Sequence, residues 1–148
     1  MIKRLAHLCF KTNRFVEMAA FYRDTLGLPE QFTMDLPDGT VFGRYFALGN
    51  QTFLEIFDDA GSSKMWGNGS VTQRQAAPTG FYQHFCLEVG SEKGGIEALR
   101  TALIAKGVDV GPVKTGMDGS RQCWMKDPDG NSIELMEYTP QSKQLKAL

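Results

Sequence analysis

The chain has 148 residues, of which 42% are hydrophobic and 22% charged, with a formal net charge of -1 and a pI of about 6.1. That length suits one well-buried domain or two small fused modules, and the near-neutral balance gives no footprint for a nucleic-acid or anionic-membrane partner. No apolar run approaches the roughly 20 residues that span a bilayer. The opening residues do not read as a signal peptide, because the apolar run after Lys3 and Arg4 is short and holds His7, and three cysteines without CxxC spacing argue against a disulfide framework or a thiolate zinc site. A reduced, cytoplasmic location is expected.

Residues 4–11 read as a strand, with Leu5, His7 and Cys9 on one face and Ala6, Leu8 and Phe10 on the other. Asn13 is the expected N-cap of a helix whose apolar side holds Phe15, Met18, Ala19, Tyr22 and Leu26, ended by Gly27. Strands are expected at 28–34, 41–48 and 52–57, with a turn at Pro37-Asp38-Gly39 and a hairpin turn at Gly49-Asn50. Residues 58–79 are rich in Gly, Ser, Asn and Gln, lack periodicity, and read as a long linker or lid.

The pattern then starts again. A strand is expected at 80–89, a helix capped by Ser91 with Ile96, Leu99 and Leu103 on its apolar face, a stop at Gly107, strand-like residues at 108–113, a turn at Met117-Asp118-Gly119 and a strand at 121–125. The turn Asp127-Pro128-Asp129-Gly130-Asn131 leads into a last strand, in which Ile133 and Leu135 point one way and Glu134, Met136 and Tyr138 the other.

The two halves align. His7-Leu8-Cys9-Phe10 recurs as His84-Phe85-Cys86-Leu87, Gly27 as Gly107, Asp38-Gly39-Thr40 as Asp118-Gly119-Ser120, and Leu54-Glu55-Ile56 as Ile133-Glu134-Leu135. Four landmarks in the same order make the chain a tandem repeat of one βαβββ module, with module 1 at 1–58, a linker at 59–79, module 2 at 80–138 and a tail at 139–148. The expected class is α+β: two modules forming a curved, cup-like mixed sheet with helices outside. One strand face covers each module's helix, through Leu8, Phe10, Phe85, Leu87, Ile133 and Leu135. The other lines a cup with Leu5, His7, Cys9, Phe53, Glu55, Phe57, Tyr82, His84, Cys86, Trp124, Glu134 and Met136, where Cys9 and Cys86 read as small core residues.

A carboxylate on an otherwise apolar strand face needs a partner. The repeat supplies one, since each module gives one His from its first strand and one Glu from its last. Core packing does not require an ionisable pair to recur in both copies. His7, Glu55, His84 and Glu134 therefore read as an N/O metal site for a divalent transition metal (Zn, Ni, Co, Mn or Fe), with positions left for water or a bidentate substrate.

These residues resemble the vicinal oxygen chelate superfamily of glyoxalase I, extradiol dioxygenases, epimerases and fosfomycin- and bleomycin-resistance proteins. The carriers are His7, Phe21-Tyr22-Arg23-Asp24-Thr25-Leu26-Gly27-Leu28, Phe53-Leu54-Glu55-Ile56, His84, and Asp127-Pro128-Asp129-Gly130-Asn131 leading to Glu134. The four-ligand set is most similar to glyoxalase I. The resemblance implies a metal-dependent lyase or isomerase acting on a small carbonyl or hemithioacetal by enediolate chemistry. It implies Glu134 as the proton-shuttling base, with Glu55 as its counterpart. Phe53, Tyr82, Trp124, Met136 and Arg121 are candidate pocket residues. The alternatives are another superfamily reaction, epimerase or extradiol dioxygenase, and a non-catalytic protein that sequesters a small molecule.

The chain departs from glyoxalase I where that family holds glutathione. It reads Leu8-Cys9-Phe10-Lys11 and Ile56-Phe57-Asp58-Asp59, so an acidic pair stands where carboxylates would bind, with Lys11, Arg44, Arg121 and Lys126 as the candidate compensating cations. The resemblance also implies a homodimer, with modules paired within one chain or across two. Thr139-Pro140 reads as the N-cap and first residue of a short tail helix.

Overall fold

Alternation along the strands sets the architecture. In the computed structural model, which describes residues 7–67 and 84–146, the chain divides into two units, Met1–Phe81 and Tyr82–Leu148. The first contains β1 (His7–Thr12), α1 (Phe15–Ala20), β2 (Glu30–Asp35), β3 (Val41–Gly49), β4 (Thr52–Asp58) and α2 (Asp59–Trp66). The second contains β5 (Phe85–Glu88), α3 (Gly95–Ala105), β6 (Lys114–Thr115), β7 (Arg121–Lys126), β8 (Ser132–Glu137) and α4 (Lys143–Lys146). Each unit has one four-stranded sheet of the same order, β1-β4-β3-β2 and β5-β8-β7-β6. In each, the first and last strands pair in parallel and the rest are antiparallel. The class is the expected α+β repeat of βαβββ modules. Among the described residues no helix is long and apolar enough to cross a membrane.

In the first unit, Met18, Ala19 and Tyr22 bury the apolar side of the first helix, and Leu54, Ile56 and Phe46 are fully buried in the sheet. In the second, Ile96 and Leu103 of α3 are buried, as are Cys123, Met125, Ile133 and Leu135. Full burial of such side chains contributes about 1.5–3 kcal/mol each. This is why strand alternation and helix periodicity together specify the fold.

The repeated turns match atom for atom. Thr40 N–H donates to Asp38 Oδ1 (3.0 Å) and Ser120 N–H to Asp118 Oδ1 (3.2 Å), while Gly39 and Gly119 sit at φ +82° and +87°. The turn before β8 closes on Asp127. That carboxylate accepts from the backbone N–H groups of Asp129 and Asn131 and from the Asn131 side chain, at 2.8–3.0 Å. It sets the angle at which Glu134 enters the sheet.

Several expectations are corrected. The segment read as a structureless linker begins with α2. Asp58 caps it by accepting from Gly61 N–H (2.7 Å), and Gly67 ends it at φ +65°. Its sequence shows no apolar period because its buried side is made of Gly61 and Ser62. The remainder of the linker and the start of the strand expected from residue 80, Tyr82 included, lie outside the described residues.

Residues 108–113 are not a strand. Arg100 of α3 donates to the carbonyls of Gly111 (2.7 Å) and Val110 (3.3 Å), so those acceptors are taken before a ladder can form. Asn13 does not cap α1; Thr12 Oγ1 accepts the Arg14 N–H (2.8 Å) instead. Beyond Ala20 the first helix widens, with Leu26 N–H reaching Phe21 O (3.0 Å). Ser91 likewise makes no side-chain cap; Glu137 of β8 accepts the Ile96 N–H (2.7 Å) at the start of α3. The β3–β4 hairpin turns at Asn50-Gln51, both at positive φ, one residue later than expected. The tail docks on its own module. Buried Ser142 Oγ lies 2.8 Å from buried Ser120 Oγ, Lys143 N–H donates to Asp118 O, and the helix starts at Lys143 rather than Pro140.

Candidate functional site

In the first unit, β1 and β4 run parallel with Cys9 opposite Glu55 and His7 opposite Phe53. His7 and Glu55 therefore share the sheet face opposite to Leu54 and Ile56. His7 Nδ1 stands 3.1 Å from Glu55 Oε1; the imidazole is 53% exposed and the carboxylate 6%. The second unit repeats this. Cys86 is opposite Glu134, and His84 Nε2 stands 3.3 Å from Glu134 Oε2, with the carboxylate again almost fully buried. His84 Nδ1 is buried with no hydrogen-bond partner among the described residues. A buried orphan nitrogen is rare enough to call for a missing partner.

Two ligands at right angles on a metal with bonds of about 2.1 Å lie about 3.0 Å apart, and at the tetrahedral angle about 3.4 Å. The separations of 3.1 and 3.3 Å fall in that interval. Neutral imidazole and carboxylate are also the donor types a divalent transition metal takes. Each pair thus fits half of a four-ligand set. Among the described residues no three His, Cys, Asp or Glu side chains stand together as a metal cluster. What the structure brings together is two pairs, one in each unit.

Around Glu55, Phe53 faces both His7 and Ala47 across its neighbouring strands. Tyr45 pairs directly with Glu55 across β3–β4, and its ring stacks on Phe32 (4.1 Å between centroids) and meets Phe57 edge-on. Partial burial, with the Glu55 hydrogen bond and charge, pushes the Tyr45 phenol up to about 12. Phe57 packs over Gly43, where a Cβ would lie 2.5 Å from the ring. It continues the row to Phe42 and Trp66.

Around Glu134, Trp124 is the direct cross-strand partner; its ring meets His84 edge-on at 4.7 Å. Trp124 also lines an open cavity of about 380 Å³ with Asp109, Gly111, Met125, Lys126 and Ser132. This is within the range of small-molecule sites. Met136 is buried two residues on from Glu134 along the same face.

Arg121 lies on the opposite face of β7. There it pairs with Glu97 (2.8 Å) of α3 and Glu137 (3.5 Å), so it is a helix contact rather than a pocket residue. Cys9 and Cys86 are exposed, not core; the buried cysteine is Cys123. Burial, the Glu134 charge and a hydrogen bond to Glu134 push the Cys86 thiol up to about 12.

Three of the four candidate compensating cations are committed to other partners. Lys11 holds Asp59 (3.1 Å) and Ser63 Oγ (2.9 Å), Arg44 forks onto Glu30 and lies over Phe15, and Arg121 is held as above. The acidic pair is also spent, Asp58 on the α2 cap and Asp59 on Lys11. Sequence reasoning missed Tyr45 and Glu137. Tyr45 was legible as the residue 79 positions before Trp124, the same offset that relates Glu55 to Glu134.

The family model of the Glyoxalase/Bleomycin resistance protein/Dioxygenase superfamily matches residues 4–135. A Brassica oleracea var. gemmifera protein named "Putative lactoylglutathione lyase" is 26% identical in a match of length 147 that covers 97% of this chain and 47% of that protein. The chain thus spans about half the length of the curated relative it matches. Among solved structures, a lactoylglutathione lyase from Agrobacterium tumefaciens superposes with a TM-score of 0.64 at 23% identity, covering 92% of this chain and 94% of that one. The fosfomycin resistance protein FosX from Listeria monocytogenes superposes with a TM-score of 0.63 at 18% identity, covering 97% and 99%. At these identities the structural likeness speaks for the fold.

Proposed function

The chain belongs to the glyoxalase/bleomycin resistance protein/dioxygenase superfamily, and on that premise we propose that it is a metal-dependent lyase or isomerase of the glyoxalase I type, acting on a small carbonyl compound or its hemithioacetal. The observation that carries this reading is the duplicated pair: a buried Glu beside a more open His, at 3.1 and 3.3 Å, at equivalent positions of both modules. His7, Glu55, His84 and Glu134 would hold the divalent transition metal, one pair from each module. When bound, the ion supplies Lewis-acid stabilisation of charge on two neighbouring substrate oxygens.

The chain's own part is proton transfer and exclusion of water. Glu134 takes the proton from the carbon that bears the thiol and returns it to the adjacent carbonyl carbon, while the hydroxyl proton passes to the other oxygen. One carbon is oxidised and its neighbour reduced, so no external redox partner is needed. Glu134 suits a base because its oxygens are shielded from bulk water and, among the described residues, its ion pair is with His84 and its strand neighbour is the weakly donating Cys86. The Trp124 ring holds His84 from the side and forms the wall toward the cavity. Because Lys11, Arg44 and Arg121 are paired to acidic neighbours, the substrate is proposed to be small rather than a glutathione conjugate gripped by its carboxylates.

The test is metal analysis and reconstitution with Zn, Ni, Co, Mn and Fe(II), followed by turnover of 2-oxoaldehyde hemithioacetals in D₂O. One metal per chain and formation of the 2-hydroxy thioester are expected. Glu134→Gln is expected to abolish proton transfer while weakening metal binding only in part. Failure of every metal to bind leaves a sequestering protein, and ring cleavage of a catechol with Fe(II) and O₂ moves the reading to a dioxygenase. Size measurement with and without metal reads whether the two pairs come from one chain or from a homodimer.

A further inference from the structure

Lys11, Arg44 and Arg121 each hold an acidic neighbour. Lys126, the fourth candidate cation, is exposed and forms no ion pair or side-chain hydrogen bond among the described residues. It lines the cavity of about 380 Å³ beside Trp124. In the β7–β8 register Trp124 stands opposite Glu134 and Lys126 opposite Ser132. Alternation puts all four on one sheet face, with the Lys126–Ser132 pair about 7 Å along the strands from the Trp124–Glu134 pair. The Ser132 hydroxyl also has no hydrogen bond among the described residues. The facing wall is backbone: Gly111 N–H donates to Trp124 O (2.9 Å), and Gly111 O accepts from Arg100 Nε (2.7 Å). Asp109 on that wall is exposed and likewise without an ion pair among the described residues. The cavity thus holds an aromatic ring, two free donors on the strand side and one carboxylate on the loop side.

We infer that this cavity is the subsite for the tail of the substrate, and that the tail carries a single carboxylate held by Lys126 and Ser132 with its apolar part against the Trp124 ring. The inference rests on the metal-dependent reading above and names its substrate class. Side chains directly opposite on antiparallel strands have Cβ atoms about 4.5–5.5 Å apart, so an ammonium and a hydroxyl there can donate together to the two oxygens of one carboxylate. A neutral tail leaves the cation to water. A phosphate tail brings further negative charge toward Asp109, which repels it. The tail is short, because its anchor lies only one cross-strand pair from Glu134. Trp124 joins the two ends: one ring borders the cavity and meets His84 at 4.7 Å. Gly111 keeps the space open. A Cβ built there meets only Trp124 O, at 3.6 Å, so a side chain fits the backbone and occupies the cavity instead.

The Trp124 indole N–H, held on Gln122 Oε1 (3.2 Å), is the reporter. The chain has two tryptophans, so its two indole resonances are assigned with Trp66→Phe. The full chain, with and without added metal, is titrated with 3-phenylpropionate and with its uncharged amide. The carboxylate is expected to move the Trp124 resonance and to bind about two- to fivefold more tightly than the amide, the range of an exposed charge pair. Lys126→Met should remove that preference, Asp109→Asn should strengthen carboxylate binding, and Gly111→Val should abolish binding of both ligands. In turnover, the kcat/KM of the 3-mercaptopropionate hemithioacetal relative to that of 2-mercaptoethanol should fall by the same two- to fivefold in Lys126→Met. Equal binding of acid and amide, a preference that survives Lys126→Met, or a carboxylate that binds only the metal-loaded protein overturns this inference. Carboxylate binding that depends on Lys126, together with no turnover of any hemithioacetal by any metal form, overturns the parent reading and leaves the cavity a monocarboxylate site.

Discussion

Cys86 reports on Glu134 without any knowledge of the substrate. Burial and the hydrogen-bonded Glu134 carboxylate push its thiol from 9.0 up to about 12. At pH 8 an ordinary thiol is about one-tenth thiolate, whereas one at about 12 is about one part in ten thousand, a thousandfold deficit. A thiolate of higher pKa is intrinsically more nucleophilic; with a Brønsted slope of about 0.45 this returns about 20-fold. The net expectation is attack on a disulfide reagent about 50-fold slower than by a free thiol. Because the residue is exposed, burial is the contribution to discount, and 50-fold is an upper limit; the carboxylate is the part a substitution removes. The assay is the rate of reaction with an aromatic disulfide, in a Cys9→Ser background and with chelator present. Cys123 is fully buried and does not contribute. Glu134→Gln is expected to raise the rate severalfold and to bring the rate–pH midpoint down. A wild-type rate equal to that of a free thiol, or a Gln variant no faster than its parent, refutes the placement of Cys86 against Glu134.

Two predictions concern the scaffold. Glu137→Ala removes the acceptor of the Ile96 N–H at the start of α3 and should lower stability by about 1–2 kcal/mol, read as an earlier midpoint in urea; Glu137→Gln should recover part of this, and an unmoved midpoint in the Ala variant argues that Glu137 is no cap. Gly43→Ala places a methyl 2.5 Å from the Phe57 ring and 3.2 Å from Met34 Cβ. It should cost about 1–3 kcal/mol through overpacking and alter the aromatic circular dichroism, since Phe57 must move within the row that supports Tyr45; unchanged stability and spectrum would show that the ring has room.

The sheets and the repeat were legible because strand alternation and the Asp-Gly turns are local signals. The pairs His7–Glu55 and His84–Glu134 were legible for the same reason: period two put both members on one face, and the repeat supplied the register. Other elements depend on distant partners. α2 is amphipathic only in the sense that Gly61 and Ser62 are small, so a search for apolar periodicity passes over it, although Asp58 and Gly67 bracket its eight residues as caps. Residues 108–113 carry strand-like valines, but Arg100 takes the carbonyls they would pair with. Arg121 had the right chemistry for a pocket, yet an odd-numbered place in β7 turns it with Cys123 toward α3, where Glu97 waits. Residue type alone points Cys9 and Cys86 to the core, but exposure depends on whether anything covers their face.

The duplication also separates what holds the fold from what differentiates the site. The turns at Asp38 and Asp118 keep the same hydrogen bonds, since any change there would alter the angle between strands and with it the position of each Glu. The residues beside the carboxylates carry no such constraint on backbone geometry. An aromatic ring satisfies packing at both positions, whether it is Tyr45 or Trp124. The residue beside each carboxylate is therefore free to differ between the modules, and it does.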